Sequence, residues 1–390
     1  MSNRSTPPAP PAAAPADALT TPLYGEHAAA GASFTDFGGW QMPVRYTSDL
    51  AEHHAVRTAA GLFDISHMAQ FVVEGPRAAE ALDAALTADV SAIALSRAKY
   101  TMILAADGGI IDDLIVYRTG DTEFLVIANA GNHDPVLAAL SERVAGFDVS
   151  FTDRDDLALI AVQGPAAQGI LESIDALAVD EALAMGHTLE SLPYYACTGM
   201  RFEGREVLVS RTGYTGEDGF EIGLPAELAV AFWRAALAAG ADAGLVPAGL
   251  ASRDTLRLEA GMPLYGHELR LDTQPAQAGL GRIAPPKTKT ADFVGRDAVV
   301  AGPASDAPVL VGLVAEGRRA GRAGYPVLSG ELAVGEITSG ALSPTLGHPI
   351  AMAYVSPELA EPGTVLEIDV RGTRIPASVV ALPFYSRKKN

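Results

Sequence analysis

Tyr100-Thr-Met-Ile-Leu-Ala-Ala-Asp-Gly-Gly-Ile-Ile-Asp112-Asp113-Leu-Ile-Val-Tyr117 is the stretch around which the rest of the chain is organised. Asp107-Gly108-Gly109 is a tight-turn signal, and the apolar, β-branched runs beside it predict the two arms of a hairpin. Alternate residues of a strand point to opposite faces. One face of the second arm therefore carries Ile110, Asp112, Leu114 and Val116; the other carries Ile111, Asp113, Ile115 and Tyr117. Each face is apolar apart from one aspartate, so at least one carboxylate is expected to point into the protein. A carboxylate in apolar surroundings needs hydrogen bonds, which a ligand can supply. The alternative is that both aspartates satisfy backbone donors near the turn.

Outward from the hairpin, strands and helices mix. Ser48 offers an N-cap to a helix reaching Ala60, with Gly61 placed to end it. Phe37-Gly-Gly-Trp40-Gln-Met-Pro43 reads as a loop with apolar anchors, and Leu62 to Val73 as the start of a sheet segment. A helix is expected over Pro76–Leu86, a strand over Phe124–Asn129 and a helix over Asp134–Val144. Further strands are expected at Leu157–Val162 and Glu206–Ser210, and helices at Ala226–Ala239 and Leu250–Ala260. In the last of these, Arg253 and Arg257 stand four apart, on one face. Hairpins alternating with helices predict an α+β fold rather than a doubly wound parallel sheet. Beyond residue 308 the pattern changes to short strands at Val309–Ala315, Val334–Thr338, Ile350–Val355, Val365–Val370 and Ile375–Val380, which predicts a small β-barrel or sandwich. The expected division is a disordered Pro/Ala-rich tail over 1–20, a main region over 21–284, a linker over 285–303 and a barrel domain over 304–390.

The 390 residues exceed one typical core. A hydrophobic share of 48%, a charged share of 19% and a mean hydropathy of +0.18 suit a globular chain with no transmembrane span. Net charge is −19, from 28 basic and 47 acidic residues, which argues against nucleic-acid and anionic-membrane partners. Cys197 is the only cysteine, so neither a disulfide framework nor a thiolate metal cluster can form, and a cytoplasmic setting is expected. Glu52-His53-His54 and His67 lack metal-binding spacing, so no metal is expected. The Gly213–Gly223 segment has no phosphate-loop Lys, and no Rossmann or nucleophile-elbow pattern is present. What remains is inward-looking carboxylates (Asp113, Glu221), arginines on one helical face, and aromatics (Tyr100, Phe63, Trp40). That set suits a flat heteroaromatic ligand with a donor-rich edge and an anionic tail.

Taken together, several segments carry a resemblance. They are Tyr24 with Phe37–Pro43, Glu52–Thr58, Phe63-Asp-Ile-Ser-His-Met68, Gly108-Gly-Ile-Ile-Asp-Asp113, Arg211-Thr-Gly-Tyr-Thr-Gly-Glu-Asp-Gly-Phe-Glu221, Arg253–Met262 and Thr338–Gly347. In this order the chain resembles the T-protein of the glycine cleavage system, an aminomethyltransferase, from about Thr21 to Tyr385. The resemblance implies a three-lobed folate-binding fold, with two mixed α/β lobes and a C-terminal β-barrel-like domain. It implies transfer of a one-carbon unit from the aminomethyl-lipoyl arm of H-protein to tetrahydrofolate, without a metal. By matching motif, Asp113 would be the catalytic carboxylate and Glu221 would receive the 2-amino and N3–H edge of the pterin. Tyr100, Met68, Asn129 and Arg253 would line or orient the same ligand, while replacing Asp112 would mainly affect stability or nothing. The chain departs from the family at Leu280–Lys287, where Arg282 and a Pro-Pro step replace an aromatic-containing strand. H-proteins are acidic, so docking to this acidic chain would need a local basic patch, with candidates Arg282, Lys287, Lys289, Arg296, Arg318, Arg319 and Arg322. Relatives on this fold include folate-using demethylases and iron–sulfur assembly factors; the latter carry a cysteine where this chain reads Gly261-Met-Pro-Leu-Tyr-Gly266.

Overall fold

The computed structural model describes residues 18–284 and 289–387. The expected tail up to residue 17, the first four residues of the expected linker and Lys287 therefore lie outside the described residues. The hairpin forms as Ala98–Leu104 paired with Ile110–Arg118, turning at Gly108 with φ +85°. Its strands begin a five-stranded antiparallel sheet, continued by Glu123–Ala128, Ala69–Glu74 and Ser150–Asp153. Helices Ala78–Ala85 and His133–Val144 cover one face, burying Leu82, Val136 and Leu140 with Leu114, Val116, Phe71 and Phe124. The sheet's opposite face looks toward a second sheet.

That second sheet has seven strands, in the order Leu177–Val179, Cys197–Phe202, Arg205–Ser210, Gly219–Pro225, Leu157–Gln163, Ala60–Asp64 and Leu245–Pro247. Only the last pair is parallel. Helix Ala229–Gly240 buries Phe232 and Trp233 against its outer face. The inner faces of the two sheets meet through Phe63, Ile65, Ile115, Tyr117, Ile127, Leu159, Ala161 and Cys197, joined by Val56 and Leu256 from helices Asp49–Thr58 and Leu250–Glu259. Because Ala60–Asp64 belongs to the second sheet and Ala69–Glu74 to the first, the two lobes interleave along the chain. Six strands then close a barrel, in the order Val309–Ala315, Pro349–Val355, Leu332–Leu342, Pro326–Ser329, Val365–Val370 and Thr373–Val380. The α+β architecture with two mixed lobes and a terminal barrel is as the sequence predicts. Among the described residues, no helix is long and apolar enough to cross a membrane.

Three local expectations are corrected, and one barrel strand is added. Phe37–Pro43 is no loop: Ser33–Phe37 and Trp40–Arg45 pair as a hairpin, and Gly38 and Gly39 supply the two positive φ angles (+61° and +88°) that a two-residue turn requires. Gly61 does not end the Ser48-capped helix, which stops at Thr58. It lies inside a strand, where an added Cβ would come within 2.5 Å of Val56 Cγ2; glycine lets the helix pack onto the sheet. The Leu62–Val73 segment breaks at a turn, since Ile65 N–H is drawn to Leu159 O and Met68 N–H back to Ile65 O. Strand Pro326–Ser329 went unread because it is short and starts with proline.

Around the expected linker, Lys289 is buried. Its Nζ donates to the carbonyls of Asp83 (2.5 Å), Leu86 (2.6 Å) and Ala88 (2.8 Å), closing the end of helix Ala78–Ala85. Burial lowers its pKa to about 8. A side chain so placed cannot belong to a docking surface.

Candidate active site

Strand alternation separates the two aspartates as the hairpin pattern requires. Asp112 is fully buried on the lobe side, and Asp113 faces the space between the sheets. Asn129, at the end of the neighbouring strand, donates from Nδ2 to Asp113 Oδ1 at 2.8 Å, and the Tyr100 hydroxyl donates to Asp113 Oδ2 at 2.9 Å. Three of the expected site residues thus form one knot. Burial raises the pKa of Asp113 against the pull of those two donors. Burial, then the neighbouring Asp113, raises the phenol of Tyr100 well above its ordinary value.

Four residues further along the same strand face, roughly 13 Å away at about 3.3 Å per residue, stands Tyr117. Its hydroxyl lies 3.0 Å from Thr212 Oγ1, and Thr212 Oγ1 donates to Glu221 Oε2 at 2.5 Å. Glu221 sits in strand Gly219–Pro225 of the second sheet, between Ser210 and Ala161. Its Oε1 accepts no hydrogen bond among the described residues. Glu221 is nonetheless 91% buried, its relative exposure being 9%.

Arg253 completes the set. It is half-buried on helix Leu250–Glu259, with its guanidinium 5.2 Å from the Tyr214 ring centroid and 5.9 Å from that of Phe63. Its Nη1 is buried without a hydrogen-bond partner. Burial lowers its proton affinity, and Glu221 and Tyr214 pull the other way. Arg257, expected on the same face, points instead at Glu268 in the following loop (3.0 Å) and at Ser339 Oγ of the barrel (2.7 Å). Met68 packs at the edge of the inter-sheet cluster. It also lines, with His67, Trp40, Gly131 and Gln70, a cleft of about 380 Å³. Asp113, Tyr100, Asn129, Glu221, Arg253 and Met68 therefore all belong to the seam between the two sheets. Tyr117 was legible from alternation; Thr212 was not, because nothing local marks a side chain that holds another.

The histidines of the Glu52-His53-His54 run do other work. Glu52 accepts from the backbone N–H groups of Tyr46, Thr47 and Gly249. His53 bridges Thr255 and Thr345. Among the described residues, no group of three or more His, Cys, Asp or Glu is placed to hold a metal ion. Cys197 is buried, which pushes its thiol up to about 12.

A buried carboxylate with an unclaimed oxygen, a guanidinium with an unclaimed N–H and aromatic rings can receive a flat polar ring, and a second carboxylate farther along the same seam can serve proton or charge chemistry. Residues 23–288 match the GCVT N-terminal domain, and residues 309–386 the glycine cleavage T-protein C-terminal barrel domain. The chain is 53% identical over 368 residues to an aminomethyltransferase of Cutibacterium acnes, covering 94% of this chain and 98% of that one. It is 54% identical over 376 residues to an aminomethyltransferase of Streptomyces coelicolor, covering 95% and 98%. The crystal structure of the glycine cleavage system aminomethyltransferase T from Bartonella henselae superposes with a TM-score of 0.85 at 37% identity, covering 94% of this chain and 98% of that one.

Proposed function

Since the chain belongs to the glycine cleavage T-protein family and is an aminomethyltransferase, we propose that it moves the one-carbon unit from the aminomethyl-lipoyl arm of H-protein to tetrahydrofolate. The products are 5,10-methylenetetrahydrofolate, ammonia and dihydrolipoyl H-protein. The observation that carries the assignment of residues is the shared wall: Asp113 and Tyr117 alternate on one strand face, and Tyr117 reaches the Thr212 that binds Glu221. One surface thus presents an acceptor for a ring edge and a carboxylate several residues away.

Tetrahydrofolate supplies the N5 and N10 amines that take up the carbon. The residues present fit it. Glu221 Oε1 is open to the paired 2-amino and N3–H donors of the pterin, and the unpartnered Nη1 of Arg253 favours a ring oxygen or carboxylate. Tyr100 and Asn129 hold the Asp113 carboxylate in one orientation, while Met68 closes the apolar side. Asp113 takes or returns a proton and stabilises cationic charge as the C–S and C–N bonds break, help worth ~10²–10⁴ in rate. A cytoplasmic setting belongs to the same reading, supported by a single, buried and unreactive thiol. The test is a coupled glycine-cleavage assay with and without this chain, supplied with aminomethyl-loaded H-protein and tetrahydrofolate. Chain-dependent, folate-dependent ammonia release is expected; ammonia release indifferent to the chain would refute the reading.

A further inference from the structure

Asp112 and Asp113 stand on opposite faces of one strand, yet a single amide ties them together. Asn129 Nδ2 donates to Asp112 Oδ1 and to Asp113 Oδ1, each at 2.8 Å. The Asn129 backbone N–H holds Asp112 Oδ2 at 2.9 Å, and Asn132 Nδ2 adds a third donor at 2.6 Å. We propose that Asp112 is a positioning residue for the transfer: ionised behind the strand, it fixes the Asn129 amide and keeps the proton shared by the two carboxylates on Asp113. This rests on the reading of Asp113 as the catalytic carboxylate.

The donor set decides where the proton sits. The three groups that hydrogen-bond the Asp112 oxygens are all N–H donors, which favour a carboxylate and offer no acceptor to an acid O–H. Asp113 has two donors, and one of them, the Tyr100 hydroxyl, can turn and accept. Two buried neighbouring carboxylates do not both ionise readily, and their titration belongs to the pair. Burial pushes both carboxyls up, and the N–H donors from Asn129 and Asn132 pull Asp112 back toward the carboxylate. The other titratable groups that feel these carboxylates are Tyr100, Tyr195, Tyr214 and Tyr265. Neither aspartate is in a salt bridge among the described residues. The sequence pattern marked Asp112 as a stability residue; its bonds give it a part in setting the charge of its neighbour.

The experiment is the pH profile of single-turnover transfer. If Asp113 must be ionised to act, the acid limb reports the pair. Asp112→Asn removes the charge behind the strand, so the limb is expected to move to lower pH by ~1 unit, beside any loss at the plateau. Asn132→Ala takes one donor from Asp112 without touching Asp113. The shared proton then shifts toward Asp112, and the limb moves the same way by less. An unmoved limb in a variant that keeps its melting transition and its tetrahydrofolate affinity would overturn the proposal, because packing alone changes amplitude, not pH dependence. The wild-type protein supplies a second measurement that needs no variant to fold. A carboxylic acid C=O band in its infrared spectrum should disappear across the acid limb, and the absence of such a band would also refute the proposal. Normal chemistry in Asp113→Asn would instead sink the catalytic assignment itself, which keeps the two failures apart.

Discussion

Two regions of this molecule bury charge, and they do so in opposite ways. At the junction of helices Asp49–Thr58 and Leu250–Glu259 with the barrel, the buried cations have anions. Arg57 meets Glu217 at 2.9 Å and Glu259 at 2.7 Å, His53 lies 3.3 Å from Glu259, and Arg257 meets Glu268 at 3.0 Å. Ser343 and the Thr345 amide fill the remaining Glu259 oxygen. In the seam between the sheets, Asp113 and Glu221 have only neutral donors, as does Asp112 just behind it, and Arg253 keeps a buried N–H without a partner. Buried charge is costly either way. The junction answers that cost inside the protein and so fixes the barrel to the lobes. The inter-sheet seam leaves part of it open, which is stability given up where a polar ligand can restore it.

The largest effect should come from breaking the closed region. Glu259→Gln leaves Arg57 and His53 facing a neutral amide, and the folded state should lose about 3–5 kcal/mol, read as a lower urea midpoint. Acid should imitate it. Burial opposes ionisation of Glu259, but His53, Ser343 and Arg57 outweigh it and bring the carboxyl from its ordinary 4.5 down to about 2. A lowered carboxylate contributes stability above its unfolded value and loses it as pH falls through the folded one. The Glu259 share should therefore be intact above pH 4.5 and vanish toward pH 2, flattening the acid unfolding curve of the Gln variant over that window. Equal acid sensitivity of both proteins would deny the junction its role.

Next in size is the open region. Asp113→Asn keeps shape and an amide oxygen but cannot carry the charge, so single-turnover transfer should drop ~10²-fold or more, with tetrahydrofolate affinity little changed. A loss in binding equal to the loss in rate would make Asp113 a ligand contact rather than a catalytic group.

How far this contrast was legible depends on the range of the interaction. Alternation along Ile110–Arg118 separated Asp112 from Asp113 because it needs only the period of a strand. It could not show that Asn129, sixteen residues beyond Asp113, binds both carboxylates. The i, i+4 spacing put Arg253 and Arg257 on one side of a helix. Long side chains then diverge, one to the rings of Tyr214 and Phe63 and one to Glu268 in the loop that follows. Lys289 looked like a solvated linker charge because the carbonyls that take it lie about two hundred residues earlier. The Gly38–Gly39 turn was missed for a different reason: its signal was present, but the flanking strands are short.

Glu221 sharpens the contrast on the binding side. Glu221→Gln leaves one acceptor and sets an amide N–H against the ring donors. Tetrahydrofolate should bind more weakly by ~1–3 kcal/mol, measured by calorimetric titration, while the melting temperature without ligand holds or rises slightly. Unchanged affinity would remove this residue from the site.

The smallest effect tests whether exposed charge forms a third class, serving encounter rather than folding or chemistry. With Lys289 buried and Arg296 bonded to the carbonyls of Lys289 and Ala291, the exposed basic candidates that remain among the described residues are Arg282, Arg318, Arg319 and Arg322. Three of them lie close together in the chain at the barrel. Arg319 makes only a long bond to Thr373 (3.4 Å), and Arg322 one to Gly340 O (3.1 Å), so most of their charge faces solvent. On a chain of net charge −19, an acidic lipoyl carrier, as the proposed partner would be, is repelled at long range and would need a local positive patch. Steering of this kind changes association more than the bound state, and salt screens it over ~8–10 Å. Arg318→Glu with Arg319→Glu should raise the apparent KM for H-protein several-fold at low ionic strength and leave kcat unchanged. The difference from wild type should shrink as salt is added. A KM indifferent to the reversal at low salt would move the docking surface away from this edge of the barrel.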